Sequence, residues 1–313
     1  MKVYQKDCSS YDIYMGKVKK AIILAAGLGT RMLPATKAIP KEMITVFGKP
    51  LIQHTVEEAI ESGIQDIQII VGTQHQEIID HFHGEGRAKE HAVKTNNNQT
   101  ITELKASELP ANIEFTTQHE PLGTAHAVLQ AKTFIGQDSF ALLFPDDIIL
   151  NPEGPNCTTQ LTNAFTDHEA NIIAVETVPP ELIPFYGIVK LNENVELSET
   201  SSLFPVQDLI EKPTLESAPS SLGIVGRYVL KTEIFEAIEN LKSSPNGELH
   251  ITHALSLLSG TNREVCAYMY SGARYDTGRP TGHVLANFAL AWEDPLAKQE
   301  LSKYIKQLIL KTD

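Results

Sequence analysis

Residues 20–43 read KAIILAAGLGTRMLPATKAIPKEM. The apolar run at 20–25 has the near-continuous hydrophobicity of a strand buried on both faces, as parallel sheets require. The chain then turns at Gly27 and Gly29, and Arg31, Lys37 and Lys41 follow in a loop stiffened by Pro34 and Pro40. Three phosphate-binding patterns compete for such a turn. A dinucleotide fingerprint needs a third glycine where Met32 stands, and no helix opens directly after the turn. The P-loop pattern G-x-x-x-x-G-K-[ST] is absent. The third pattern is a glycine turn whose backbone N–H groups approach a nucleotide, backed by cations. Arg31 offers a planar fork for two phosphate oxygens, whereas Lys37 and Lys41 act as movable point charges. One lysine in a loop ordinarily does no more than keep it solvated. Three cations beside a strand-terminal Gly-x-Gly argue for an anion.

Outward from this turn, strand-like and helical patterns alternate. Strands are expected at 66–71 (DIQIIV), 112–117, 140–144 (FALLF), 172–177, 187–191 and 221–230, and helices at 50–62, 76–82, 123–133, 232–241 and 251–258. The pattern implies an α/β fold: a Rossmann-like, mixed but mostly parallel central sheet flanked by helices. Residues 84–110 are polar and loosely patterned, and read as an excursion from the core with mobile parts. Residues 281–313 form a C-terminal segment, apolar at helical spacing over 281–310, expected to pack on the body or on another subunit.

The chain has 313 residues, enough for one large domain or two modest ones, with 42% apolar and 21% charged residues. A formal net charge of -13 excludes a general nucleic-acid or membrane-surface binder, whose footprint is basic. An acidic protein that binds an anion has to concentrate its few cations locally. Cys8, Cys157 and Cys266 lie far apart without CxxC spacing, so neither a disulfide framework nor a zinc site is expected, and a reducing cytoplasm fits. No apolar run approaches the about 20 residues that span a bilayer. Residues 1–18 contain no apolar leader core and are expected to form a poorly ordered extension.

The segment AAGLGTRMLPATKAIPKEM (25–43), followed by GKPLIQHTVEEAIESGI (48–64), closely resembles the bacterial UTP–glucose-1-phosphate uridylyltransferases. The resemblance continues in order through LGTAHAV (122–128), FPDDII (144–149), FYGIV (185–189), EKP (211–213), GRYVL (226–230), ELHITHAL (248–255) and RYDTG (274–278). It implies a catalytic domain over 19–290, with a nucleotide-binding part at 19–150 and a smaller sugar-binding part at 151–280. It further implies UTP and glucose 1-phosphate as substrates, Mg²⁺ as cofactor, and a homodimer or homotetramer.

In that reaction an anionic sugar-phosphate oxygen attacks the α-phosphorus, so no serine, cysteine or histidine nucleophile is needed. The obstacle is repulsion between two polyanions, and catalysis is positioning plus charge neutralisation. The resemblance places Ala25, Ala26, Gly27 and Gly29 at the nucleotide, Glu42 in support of the loop or of the nucleotide, Arg31 at the β- and γ-phosphates, and Lys41 nearer the α-phosphate. Gln118 and Gly123 fall where the family reads the base, and a primary amide suits uracil's donor-and-acceptor edge. Asp146 ends the FALLF strand, where open α/β sheets place their ligands. The resemblance pairs it with Asp276 as the metal carboxylates, Asp147 ranking second. Gly187, Glu211 and Lys212 are assigned to the sugar phosphate, with Lys212 as its cation and Glu211 as acceptor for sugar hydroxyls. His126 reads as a satisfied helix histidine.

Two departures stand out. The family's helix motif Asp-Glu-Ile-Gln-Leu-Thr-Asp is here GELHITH (247–253), with Gly247 and His253 replacing both aspartates. LGTAHAV leans towards the wider nucleotidyltransferase pattern, which keeps a glucose-1-phosphate thymidylyltransferase as an alternative. A catalytically weak regulatory homologue is the alternative of another class.

Overall fold

The computed structural model describes residues 18–84, 86–106, 108–192, 201–241, 247–260 and 264–309. Strand β1 (Lys20–Ala25) is followed by the two-residue hairpin strands β2 (Thr45–Val46) and β3 (Lys49–Pro50), then α1 (Leu51–Glu61), β4 (Asp66–Gly72) and α2 (Gln76–Phe82). Helices α3 (Arg87–Lys94) and α4 (Asn98–Ala106) lead to β5 (Asn112–Gln118), α5 (Thr124–Leu129), α6 (Lys132–Ile135), β6 (Phe140–Leu143) and β7 (Asp147–Leu150). The second half runs α7 (Cys157–His168), β8 (Asn171–Thr177), β9 (Gly187–Leu191), β10 (Leu203–Glu211) and β11 (Leu222–Leu230). It finishes with α8 (Glu233–Glu239), α9 (Ile251–Ser259), β12 (Val265–Met269), β13 (Ala273–Asp276), α10 (Pro280–Glu293) and α11 (Pro295–Ile309).

Nine of these strands form one sheet in the order β5-β4-β1-β6-β11-β8-β12-β10-β9. The first four are parallel, with Lys20 opposite both Asp66 and Phe140. Strand β11 runs antiparallel to β6 and β8, and β10 antiparallel to β12 and β9, while β8 and β12 are parallel. The sheet is therefore mixed: parallel where 19–150 was expected to hold the nucleotide, largely antiparallel beyond it.

Alternation along β1 decides the two cores. Ile22 faces one side with Ile70, Val128, Phe140, Leu142 and Leu255, where α5, α8 and α9 cover the sheet. Ile23 faces the other with Ile52, Val56, Ile69, Leu161 and Phe165, beneath α1 and α7. Both residues are fully buried, and each core closes one face of the sheet.

The expected helix at 123–133 is interrupted between Leu129 and Lys132. The excursion at 84–110 holds two short helices, α3 and α4, so most of it is regular structure. Of the expected extension at 1–18, residues 1–17 lie outside the described residues, and Val18 is buried. The C-terminal segment is a pair of helices. A small cluster of Val46, Leu51, Ile148 and Ala286 ties α10 to the body, whereas α11 has no buried residue. No described helix is long and apolar enough to cross a membrane.

Candidate active site

The loop after β1 consists of three single 3-10 turns, Thr30–Met32, Ala35–Lys37 and Lys41–Met43. It folds back on its own glycine turn: Thr36 Oγ1 donates to the Gly29 carbonyl at 2.9 Å. Gly29 has φ 62°, and a side chain there would also meet Lys41 Cβ at 3.0 Å, so the position demands glycine twice over. The fold-back lays Lys41 along the turn and aims it at the end of β6. Its Nζ lies 2.6 Å from both carboxylate oxygens of Asp146. Burial works to lower the Lys41 pKa, but the carboxylates of Asp146 and Glu42 outweigh it and the net direction is upward.

These groups open onto a cavity of about 500 Å³ between the two parts of the sheet. Arg31, Lys41, Asp146 and Asp276 line it together with Gln118, Gly123, Gly187, Glu211 and Lys212. Ala26, Gly27 and Gly29 contribute the turn itself. Ala25 and Glu42 stand behind the wall, fully buried, with the Ala25 carbonyl bonded to His75 Nδ1 at 2.6 Å. Lys37 is exposed and outside the cavity, so two of the three loop cations reach it. His126 binds the Gln118 amide at 2.9 Å and does not line the cavity.

Two sides of the cavity are stitched together at Gly123. Its φ is +99°, and a side chain would collide with the Leu249 backbone. Leu249 in turn donates to the Leu122 carbonyl at 2.7 Å and accepts from the Ala125 amide at 2.8 Å. Across the cavity, Glu211 Oε2 accepts from Thr252 Oγ1 at 2.7 Å, and its Oε1 lies 3.5 Å from Lys212 Nζ. Lys212 has φ 47°, and its amide donates to the Tyr186 carbonyl at 3.0 Å, so the ammonium projects over the cavity.

Asp146 and Asp147 differ sharply although adjacent. Asp147 is 6% exposed and consumed by structure, bound by Arg274 Nε at 2.6 Å and by the Gly226 amide at 3.1 Å. The Asp146 carboxylate keeps a cavity face, and its side chain is 24% exposed. Asp276 accepts from Tyr186 Oη at 3.1 Å and Arg279 Nε at 2.9 Å, with Oδ1 turned to the Gly278 amide. Asp146 Oδ2, Asp276 Oδ1 and an Arg31 Nη all crowd the place where a side chain on Gly278 would start. Two carboxylates on one rim are hard oxygen donors, suited to a cation that keeps waters and phosphate oxygens as its other ligands.

Two residues around the cavity were assigned no role from the sequence. His250 lies 3.2 Å from Glu248 and 3.8 Å from Glu211, where the family carries glutamine. Arg227 is 1% exposed and grips the turn that bears Asp146, donating to the carbonyls of Phe144 and Asp147, both at 2.8 Å. Its charge is balanced by Glu58, at 2.7 Å from Nη2.

Glu42 supplies a pH-dependent prediction. Neither of its buried oxygens has a hydrogen-bond partner, and Lys41 Nζ stands 3.8 Å from Oε1. Burial, helped by the Asp146 charge and opposed by Lys41, pushes its pKa from 4.5 up to about 7. The native state thus holds a proton that the unfolded chain releases, and stability falls as pH rises between those values. Glu42→Gln should remove that slope. The gap between wild-type and variant stability changes by about 3 kcal/mol over the window, in the variant's favour at the upper end. Chemical denaturation at several pH values checks it, and parallel curves would refute it.

The nucleotidyl transferase family profile matches residues 20–294. The chain is 39% identical over 294 residues to a UTP–glucose-1-phosphate uridylyltransferase of Staphylococcus haemolyticus, covering 94% of this chain and 99% of that one. It is 38% identical over 299 residues to the enzyme of the same name from Bacillus subtilis, covering 96% and 100%. Among solved structures, the UTP-bound UGPase from Acinetobacter baumannii is similar with a TM-score of 0.79 at 35% identity, covering 95% and 100%. A UDP-glucose pyrophosphorylase complexed with UDP-glucose gives 0.76 at 33% identity, covering 88% and 100%. The chain belongs to the nucleotidyl transferase family, within the bacterial UTP–glucose-1-phosphate uridylyltransferases.

Proposed function

We propose that this chain transfers a uridylyl group from UTP to glucose 1-phosphate, giving UDP-glucose and pyrophosphate. The observation that carries the reading is the convergence of Arg31, Lys41, Asp146, Glu211 and Lys212 on one cavity from three separate segments. A sugar-phosphate oxygen forms the new bond to the α-phosphorus as the bond to the β-phosphate's bridging oxygen breaks, and pyrophosphate leaves in line. Arg31 takes the β- and γ-phosphates with its fork, and Lys41 the α-phosphate. Gln118 and Gly123 hold the base, and the Gly27–Gly29 turn lets the backbone approach. Glu211, the Gly187 backbone and Lys212 hold the sugar phosphate.

Asp146 and Asp276 hold Mg²⁺, which when bound supplies the charge neutralisation that the two loop cations leave incomplete. Lys41 keeps the Asp146 carboxylate charge-balanced before substrates arrive and turns to the α-phosphate when the nucleotide enters. In this reading the part at 19–150 takes the nucleotide and the part at 151–280 takes the sugar phosphate. We read the protein as cytoplasmic and as a homodimer or homotetramer. Val284, Leu285, Leu296 and Tyr304 on α10 and α11 expose apolar surface suited to a subunit contact.

A panel of nucleoside triphosphates against sugar 1-phosphates, read by pyrophosphate release with magnesium, tests the reading. UTP with glucose 1-phosphate should be the preferred pair. Faster turnover of dTTP would make it a thymidylyltransferase, and background release from every pair would make it a regulatory homologue.

Lys212→Ala should raise KM for glucose 1-phosphate roughly 10- to 100-fold, the worth of one charge-assisted hydrogen bond, with KM for UTP nearly unchanged. Initial rates with each substrate varied in turn check this split. An unaltered KM for the sugar phosphate removes Lys212 from the site.

A further inference from the structure

Asp146 and Asp276 come from elements that meet in a two-stranded ladder. Strands β7 and β13 are antiparallel with Asp147 opposite Asp276, and the ladder ends there. One residue further on, Thr277 extends it in an unusual way. Its amide donates to the Asp146 carbonyl at 2.8 Å, and its hydroxyl donates to the same carbonyl at 2.5 Å. Both lone pairs of that oxygen are thereby used. Thr277 is 1% exposed, so no water competes for the hydroxyl. The far side of the segment is fixed as well. Gly282, in the first turn of α10, packs so tightly on the Asp276 carbonyl that no side chain fits between them.

We propose that Thr277 is a positioning residue, which sets the spacing of the Asp146 and Asp276 carboxylates so that a divalent cation meets them ready-made. The inference rests on the reading of those two aspartates as the metal pair. Lys41 binds only the Asp146 carboxylate and leaves its backbone free to shift. Arg227 holds the neighbouring carbonyls of Phe144 and Asp147. The Asp146 carbonyl is held by Thr277, and through the same residue it is joined to Asp276.

The experiment measures binding of Mn²⁺–UTP by electron paramagnetic resonance and of metal-free UTP by calorimetry. The proteins compared are wild type, Thr277→Val, Thr277→Ser and Asp146→Ala. Valine keeps the branched shape of threonine and puts a methyl group in place of the hydroxyl. Thr277→Val should weaken Mn²⁺–UTP about 10-fold, as loss of a supporting partner behind a metal ligand does, while metal-free UTP binds as in wild type. Thr277→Ser restores the hydroxyl and should bind within about threefold of wild type, a spread small beside that 10-fold loss. Mn²⁺–UTP bound equally well by wild type and Thr277→Val, with Asp146→Ala defective, overturns the positioning role and leaves the metal pair standing. A serine variant as weak as the valine one also overturns it. If Asp146→Ala binds Mn²⁺–UTP like wild type, the metal pair itself falls and the proposal with it.

Discussion

Asp146→Ala should lower kcat/KM about 10³-fold or more at saturating magnesium, the cost of withdrawing charge stabilisation from a phosphoryl-type transition state. The melting temperature should move by only a few degrees. The fold does not depend on this carboxylate: the flanking backbone is held by Arg227 and Thr277, and the side chain's hydrogen-bond partner is Lys41 alone among the described residues. Asp146→Asn separates charge from shape, since it keeps the volume and one acceptor oxygen. It should be nearly as inactive as alanine. Turnover within tenfold of wild type in both variants would remove Asp146 from the metal site. The stability measurement also discriminates. Loss of activity accompanied by a large drop in melting temperature would mean that the turn, rather than the carboxylate, had failed.

Much of this fold was legible because its central strands advertise themselves. DIQIIV and FALLF are short apolar runs bounded by breakers, and they became β4 and β6 with ends within a residue of expectation. The elements that escaped notice lack that signature. Strand β10 (LFPVQDLIE) carries a proline and alternates with polar residues, because it runs antiparallel near the edge of the sheet. Helix α7 is rich in threonine, a weak helix former. It is held instead by the Asn156 cap on the Thr159 amide and by burial of Leu161 and Phe165. The site divides in the same way. Lys41 and Asp146 sit in long, recognisable segments, whereas Thr277 and Arg227 act through backbone carbonyls distant in sequence. Glu58 and Arg227 are 169 residues apart, and no local pattern announces that they meet.

Arg227→Met should destabilise the protein by roughly 3–5 kcal/mol, because it leaves a buried carboxylate uncompensated. At about 2 °C per kcal/mol for a chain of this size, the melting temperature falls by roughly 6–10 °C. The fork now reaches Glu58 through Nε and Nη2, the Phe144 and Gly226 carbonyls through Nη1 and the Asp147 carbonyl through Nη2. Burial alone would lower the Arg227 pKa, yet Glu58 more than offsets it and the net direction is upward, so the guanidinium stays charged throughout the working range. Removing the arginine leaves the Glu58 carboxylate with only the Thr158 amide and hydroxyl as hydrogen-bond partners among the described residues. Glu58→Leu combined with Arg227→Met should therefore recover part of the loss, since an apolar pair can replace a buried ion pair at little cost. Recovery stays incomplete because the Phe144 and Asp147 carbonyls lose the guanidinium as donor, whereas the Gly226 carbonyl keeps the Phe144 amide. Thermal or denaturant unfolding of the two single variants and the double closes the cycle. If the double variant falls by the sum of the singles, the guanidinium and Glu58 are not coupled, and the arginine owes its place to the carbonyls of the Asp146 turn alone.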